Sequence, residues 1–123
     1  VKYTVCVDFD GVIHREENFV SPDVIHGPPV PGAIGWLENL QRKFDVVVLS
    51  TRAESPAGKI AIERWLTARG LGGIRATAVK VPALLYVDDR AWRFTGANFP
   101  SPEDIHRALP WHKERDAGGR VKV

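Results

Sequence analysis

The segment Asp45-Val46-Val47-Val48-Leu49 carries four apolar side chains in succession and stops at Ser50-Thr51-Arg52. Successive side chains of a strand point to opposite faces, so a strand of this kind must be covered on both sides. That pattern belongs to parallel sheets, whose neighbouring strands need long crossover connections. The flanking sequence supplies them. Val1 to Phe9 is rich in β-branched and aromatic residues and runs into Asp10-Gly11, a strand closing in a turn. From Pro31 onward, Ala33, Leu37, Leu40 and Phe44 fall at i, i+4, i+7 and i+11, the stripe of an amphipathic helix, with Pro31 suited to its first turn. A second helix is predicted after Arg52, with Ser55 as N-cap, Pro56 at the first helical position and Gly70 as the stop. Ala61, Ile62, Trp65, Leu66 and Ala68 form its buried face.

Ile74 to Val79 reads as a short third strand and Ala83 to Val87 as a fourth that ends in Asp88-Asp89. Arg93 to Gly96 reads as the stub of a fifth. Ser101 to Asp104 reads as the cap and first turn of a last helix reaching about Leu109. This order predicts an α/β sandwich around a mostly parallel sheet. The link between the third and fourth strands is too short for a crossover helix. Residues 14–32 hold four of the nine prolines and read as an irregular excursion or small flap. Residues 112–123 read as a flexible tail. A length of 123 residues fits one domain, 1–123.

Composition narrows the class of protein. With 44% apolar and 26% charged residues the chain has the makings of a core and is not disordered as a whole. No apolar run is long enough to span a membrane, and no charged-then-apolar leader opens the chain, so the cytoplasm is the expected compartment. A single cysteine, Cys6, rules out an internal disulfide, argues against a Cys/His zinc cage, and reads as a small core residue. A net charge of +2 is too mild to argue nucleic-acid binding by itself.

In open α/β sheets ligands bind beyond the carboxyl ends of the strands. The residues at those ends are Asp8 and Asp10, then Ser50, Thr51 and Arg52, then Asp88, Asp89 and Arg90, with Lys80 ahead of the fourth strand. Parallel strands would gather up to four carboxylates on one edge. Like charges there repel by about 4 kcal/mol at 4 Å for an effective dielectric of 20. Proton sharing or a cation relieves this, and oxygen donors without Cys or His suit Mg²⁺, which commonly faces a phosphate. Hydroxyls, backbone N–H groups and Lys80 are the donors that phosphate oxygens need. The strand ends thus point to metal-assisted phosphoryl chemistry.

Asp8-Phe9-Asp10-Gly11-Val12 resembles the first motif of the haloacid dehalogenase-like superfamily, Asp-x-Asp-Gly-(Val/Thr). Ser50 after the second strand resembles its second motif, Lys80 its third, and Asp88-Asp89 its fourth, so the resemblance spans residues 4–96. It implies a three-layer sandwich with a Rossmann-like sheet and little or no cap. It implies a Mg²⁺-dependent phosphatase in which Asp8 is the nucleophile that becomes an aspartyl-phosphate and Asp10 is the acid/base. The implied metal ligands are Asp8, the Asp10 carbonyl, Asp88 and Asp89. Ser50, Thr51, Arg52 and Lys80 would hold the phosphate or substrate. Lys80 lies closer to Asp88 than in most members, and Lys59 is a second candidate for its role. Ser50-Thr51-Arg52 with Asp88-Asp89-Arg90 is similar to the 3′-phosphatase domains of polynucleotide kinase–phosphatases, which implies a phosphorylated substrate such as a nucleic-acid 3′ end.

Other classes compete. A phosphatase of small sugar or nucleotide phosphates has the same core residues. A receiver-like phospho-accepting switch uses similar groups, but there the acidic pair follows the first strand, whereas here it follows a late one. A binding module without turnover is disfavoured by the full motif set. No GxxxxGK[ST] loop occurs, which excludes a P-loop kinase half. His14, His26, His106 and His112 have no ligand spacing, and His14 is near enough to Asp10 in sequence to line its entrance. Oligomeric state is left open by the residues.

Overall fold

A computed structural model describes residues 2–108. The chain divides into two compact units, Val1–Val87 and from Asp88 onward. The expected tail at 112–123 lies outside the described residues.

The first unit holds four strands, β1 (Thr4–Asp8), β2 (Asp45–Leu49), β3 (Arg75–Thr77) and β4 (Leu85–Val87), and two helices, α1 (Ala33–Gln41) and α2 (Pro56–Thr67). The sheet is all parallel, in the order β3-β2-β1-β4. The α/β class and parallel sheet follow the expectation. β2 has the predicted bounds, whereas the outer strands β3 and β4 are shorter than predicted. β3 ends where the Val79 N–H turns back onto Thr77 Oγ1 at 3.1 Å.

The path β1-α1-β2-α2-β3 moves in one direction across the sheet. Right-handed crossovers then put both helices on one face. In agreement, Leu37 of α1 and Ile62, Trp65 and Leu66 of α2 share a core with Val5, Val7, Val46 and Val48. The alternate residues Cys6 and Val47 point to the other face and are also buried. That face is crossed by the link 78–84, which brings the Val81 carbonyl to 4.0 Å from Cys6 Sγ and lets the Leu84 N–H donate to the Thr4 carbonyl at 2.8 Å. The uninterrupted apolar run of β2 thus has cover on both sides.

Local signals set the ends of α2. Ser55 Oγ accepts from the Gly58 N–H at 3.0 Å, and Pro56 fills the first turn. At the other end Gly70 has φ +80°, and the Leu71 and Gly70 N–H groups donate to the Leu66 and Thr67 carbonyls. This is a Schellman stop closed by two buried leucines.

In the second unit, α3 (Pro102–Arg107) starts with the predicted cap. Ser101 Oγ accepts from the Asp104 N–H, and the Asp104 carboxylate accepts from the Ser101 N–H. Residues 93–96, expected as a strand stub, form a loop instead. Asn98 organises it, accepting from Thr95 N–H and Oγ1 and donating to the Arg93 carbonyl. No helix among the described residues is long and apolar enough to cross a membrane.

Candidate active site at the carboxyl edge of the sheet

The connection from β3 to β4 leaps past β2 and β1 to the far edge of the sheet. β1 and β4 therefore flank the point where the winding reverses, the place where open parallel sheets bind ligands. In register, Asp8 is level with Leu49, and Val7 with Val87. Asp8 closes β1, Ser50 follows β2, and Asp88-Asp89 are the next residues in the chain after β4. The sheet's own register thus sends the ends of β1, β2 and β4 to one edge.

After β1 the chain closes a tight turn. The Ile13 and His14 N–H groups both donate to the Phe9 carbonyl at 2.9 Å, and the Gly11 N–H donates to the His14 carbonyl at 2.9 Å. Gly11 takes φ +92°, a backbone that side-chain-bearing residues rarely adopt. The turn places His14 beside Asp10, with Nδ1 2.8 Å from Asp10 Oδ1. The His14 ring stacks on Phe9 at 5.1 Å and meets Trp65 edge-on at 5.7 Å.

Arg52 completes this cluster. It lies in a 3₁₀ turn (Thr51–Glu54) capped by Ser50, whose Oγ accepts from the Arg52 N–H at 3.2 Å. The guanidinium grips Asp10 with two bonds, Nε to Oδ2 at 2.7 Å and Nη2 to Oδ1 at 3.2 Å. Nη1 reaches the carbonyls of Ser21, Pro22 and Val24 at 3.1–3.2 Å, and Phe19 covers the guanidinium at 5.0 Å. Arg52 is only 2% exposed, so the excursion 14–32 is fastened down by a buried cation. Burial pushes the Asp10 carboxyl up, but the hydrogen bonds from His14 and Arg52 and the charge of Arg52 outweigh it. The net effect holds Asp10 below the usual carboxylate range.

No family model, curated protein or solved structure matches this chain.

The remaining expected residues are placed as follows. Thr51 is exposed at the start of the 3₁₀ turn, next to the buried Ser50. Lys80 is exposed in the link, its ammonium 4.6 Å from the Tyr86 ring centre. Lys59, the other candidate lysine, is held by Glu63 at 2.6 Å on α2, and that same carboxylate oxygen accepts the Ala76 N–H of β3 at 2.9 Å. The Arg90 N–H turns back onto Asp88 Oδ1 at 2.7 Å. Arg52, expected beside a substrate phosphate, has Nε, Nη1 and Nη2 all engaged within the protein. His14, expected at the entrance, is 1% exposed and bonded directly to Asp10. The i, i+4 spacing of Asp10 and His14 across a glycine turn was the one sequence signal for that pair. Nothing local to Arg52 announced its burial, because its partners lie 28 to 42 residues away.

Proposed function

We propose that the chain is a Mg²⁺-dependent phosphomonoesterase of the haloacid dehalogenase-like type, working through an aspartyl-phosphate on Asp8. Its sheet is then the Rossmann-like layer of a three-layer sandwich with little or no cap. One observation supports the reading: the register of the parallel sheet brings the ends of β1, β2 and β4, which Asp8 closes and Ser50 and Asp88 follow in sequence, to the carboxyl edge where the winding reverses.

The donor set fits the ion. Asp8, Asp88 and Asp89 are carboxylates with no soft ligand among them, the chemistry Mg²⁺ selects. With the Asp10 carbonyl they are the groups that would hold it. Bound there, Mg²⁺ would offset the repulsion between carboxylate and phosphate.

In the first half-reaction an Asp8 oxygen forms a bond to phosphorus, the bond from phosphorus to the leaving oxygen breaks, and that oxygen takes its proton from Asp10. In the second, water attacks phosphorus, the bond from phosphorus to the Asp8 oxygen breaks to release inorganic phosphate and restore the Asp8 carboxylate, and the water gives its proton to Asp10. Between the two steps Asp10 is a carboxylate, the form that its His14 and Arg52 hydrogen bonds favour and the form that serves as base. Ser50 Oγ accepts from the Arg52 N–H, which leaves its proton to donate to a phosphate oxygen. Thr51 and Lys80 are the other proposed phosphate donors, and Arg52 acts on substrate through the excursion it fastens.

The preferred substrate class is a phosphate on an extended molecule, a nucleic-acid 3′ end above all, because a short excursion stands where a large cap would close the site. The test is a panel of phosphate esters: 3′- and 5′-phosphorylated oligonucleotides, sugar phosphates, nucleotides and an aryl phosphate. Each is assayed with Mg²⁺ and with excess chelator. Mg²⁺-dependent turnover, lost in Asp8→Asn, is expected. Full activity in chelator would refute the mechanism, and much higher kcat/KM on sugar phosphates or free nucleotides would refute the substrate.

A further inference from the structure

We infer that His14 is a positioning residue, its ring locked in one orientation between Asp10 and the Gly27 N–H, that orients Asp10 so that Oδ2 is the oxygen that handles the proton. The inference rests on the acid/base role proposed for Asp10. Its geometric half stands on hydrogen bonding alone.

The tautomer follows from the partners. The Gly27 N–H donates to His14 Nε2 at 3.0 Å. An imidazole nitrogen that accepts a hydrogen bond carries no proton, so in the neutral ring the proton is on Nδ1, which donates it to Asp10 Oδ1. The ring cannot turn to exchange these roles, being stacked on Phe9, edged by Trp65 and almost wholly buried. Gly27 has its own constraint. A Cβ there would collide with the Arg15 carbonyl oxygen and come within 2.8 Å of His14 Nε2. Only glycine lets the excursion approach closely enough to supply this bond.

The consequence lies on Asp10. Each carboxylate oxygen has two lone-pair sites in the plane of the group. Oδ1 receives His14 Nδ1–H and Arg52 Nη2–H, which fills both. Among the described residues Oδ2 receives only Arg52 Nε–H, and one of its sites is left. The carboxylate is thereby fixed in rotation by two buried side chains, with one oxygen available to take a proton from water. Without His14 the bond that distinguishes the oxygens is lost, and the carboxylate is held by Arg52 only.

The test has two arms. In the first, ¹⁵N NMR of the wild-type protein at neutral pH reads the ring directly. Protonated Nδ1 and unprotonated Nε2 are expected, and a ring protonated on Nε2, or on both nitrogens, overturns the inference whatever the activity. In the second, three variants separate the two ring contacts. His14→Asn keeps an N–H toward Asp10, His14→Gln keeps an acceptor toward Gly27, and His14→Phe keeps the stacked ring alone. With an aryl phosphate, kcat should fall roughly 10- to 100-fold in the Gln and Phe variants, a part of what acid/base catalysis contributes. KM should change little, and His14→Asn should restore most of the lost kcat. Equal losses in Asn and Gln that track loss of stability would reduce His14 to a structural residue and refute the positioning role. An enzyme inactive on every ester but with His14 protonated on Nδ1 would sink the phosphatase proposal and uphold the orientation of Asp10.

Discussion

At the scale of single residues, Asp10 is a carboxylate with three incoming N–H bonds, and two of them come from one buried arginine. Removing one partner of a buried charged pair strands the other and costs about 3–5 kcal/mol. Arg52→Ala would also strip the Ser21, Pro22 and Val24 carbonyls of their donor. It should therefore lower unfolding free energy by about that amount in urea titrations. Arg52→Lys should recover only part, because an ammonium cannot span two carboxylate oxygens and three carbonyls as the planar fork does. A loss below about 1 kcal/mol, the size of an exposed pair, would show that Arg52 is not the anchor of the excursion. Asp10→Asn addresses the chemistry. Aryl leaving groups depart without help from an acid, so the first half-reaction should continue while water attack slows. Rapid-mixing experiments should show a burst of phenol release and accumulation of phosphorylated Asp8. A variant with no burst and normal steady-state turnover would remove Asp10 from the mechanism.

At the scale of elements, what was legible in the residues is what short-range physics decides. Ser55, Pro56 and Gly70 bounded α2, and Ser101 with Asp104 opened α3, because caps satisfy helix-end groups from within a few residues. Ser55→Ala should accordingly cost about 1 kcal/mol of stability, measurable as a fall in the urea midpoint at unchanged slope. An unchanged midpoint would mean that packing of Ile62, Trp65 and Leu66 alone defines the helix. β2 was legible to the residue because both its faces are buried, which leaves no choice of register. The outer strands were overextended, since apolar composition does not report where an edge strand loses its neighbour. The excursion 14–32 was legible only as irregular. Much of its order comes from Arg52, whose bonds to the Ser21, Pro22 and Val24 carbonyls span 28 to 31 residues, farther than a local sequence pattern extends. The site divides in the same way. The places of Asp8, Asp10, Ser50 and Asp88 at or just after strand ends could be read from the apolar runs before them, whereas the clasp on Asp10 could not.

At the scale of the whole molecule, the same contacts that shape the site tie stability to pH. Two carboxylates of the first unit are held below the usual range. In Asp10 burial is outweighed by the His14 and Arg52 hydrogen bonds and by the charge of Arg52. In Glu63 burial is outweighed by Lys59 and by the Ala76 N–H. A carboxyl whose folded value is depressed binds fewer protons folded than unfolded, so it stabilises the fold wherever the unfolded group is ionised. That contribution is fully present above the ordinary carboxylate value, at about pH 4 and higher. It is lost as pH falls through the depressed folded values. Melting temperature should therefore be flat with respect to these groups near neutrality and fall below about pH 4. The two groups act on different parts of the unit. Glu63 joins α2 to β3 through the Ala76 N–H, and Asp10 joins the β1 turn to the excursion. Glu63→Gln should flatten part of the acid slope and leave the Asp10 part, read as a smaller drop in melting temperature between pH 5 and pH 3. If wild type and Glu63→Gln show the same acid slope, Glu63 does not couple α2 to β3 through charge.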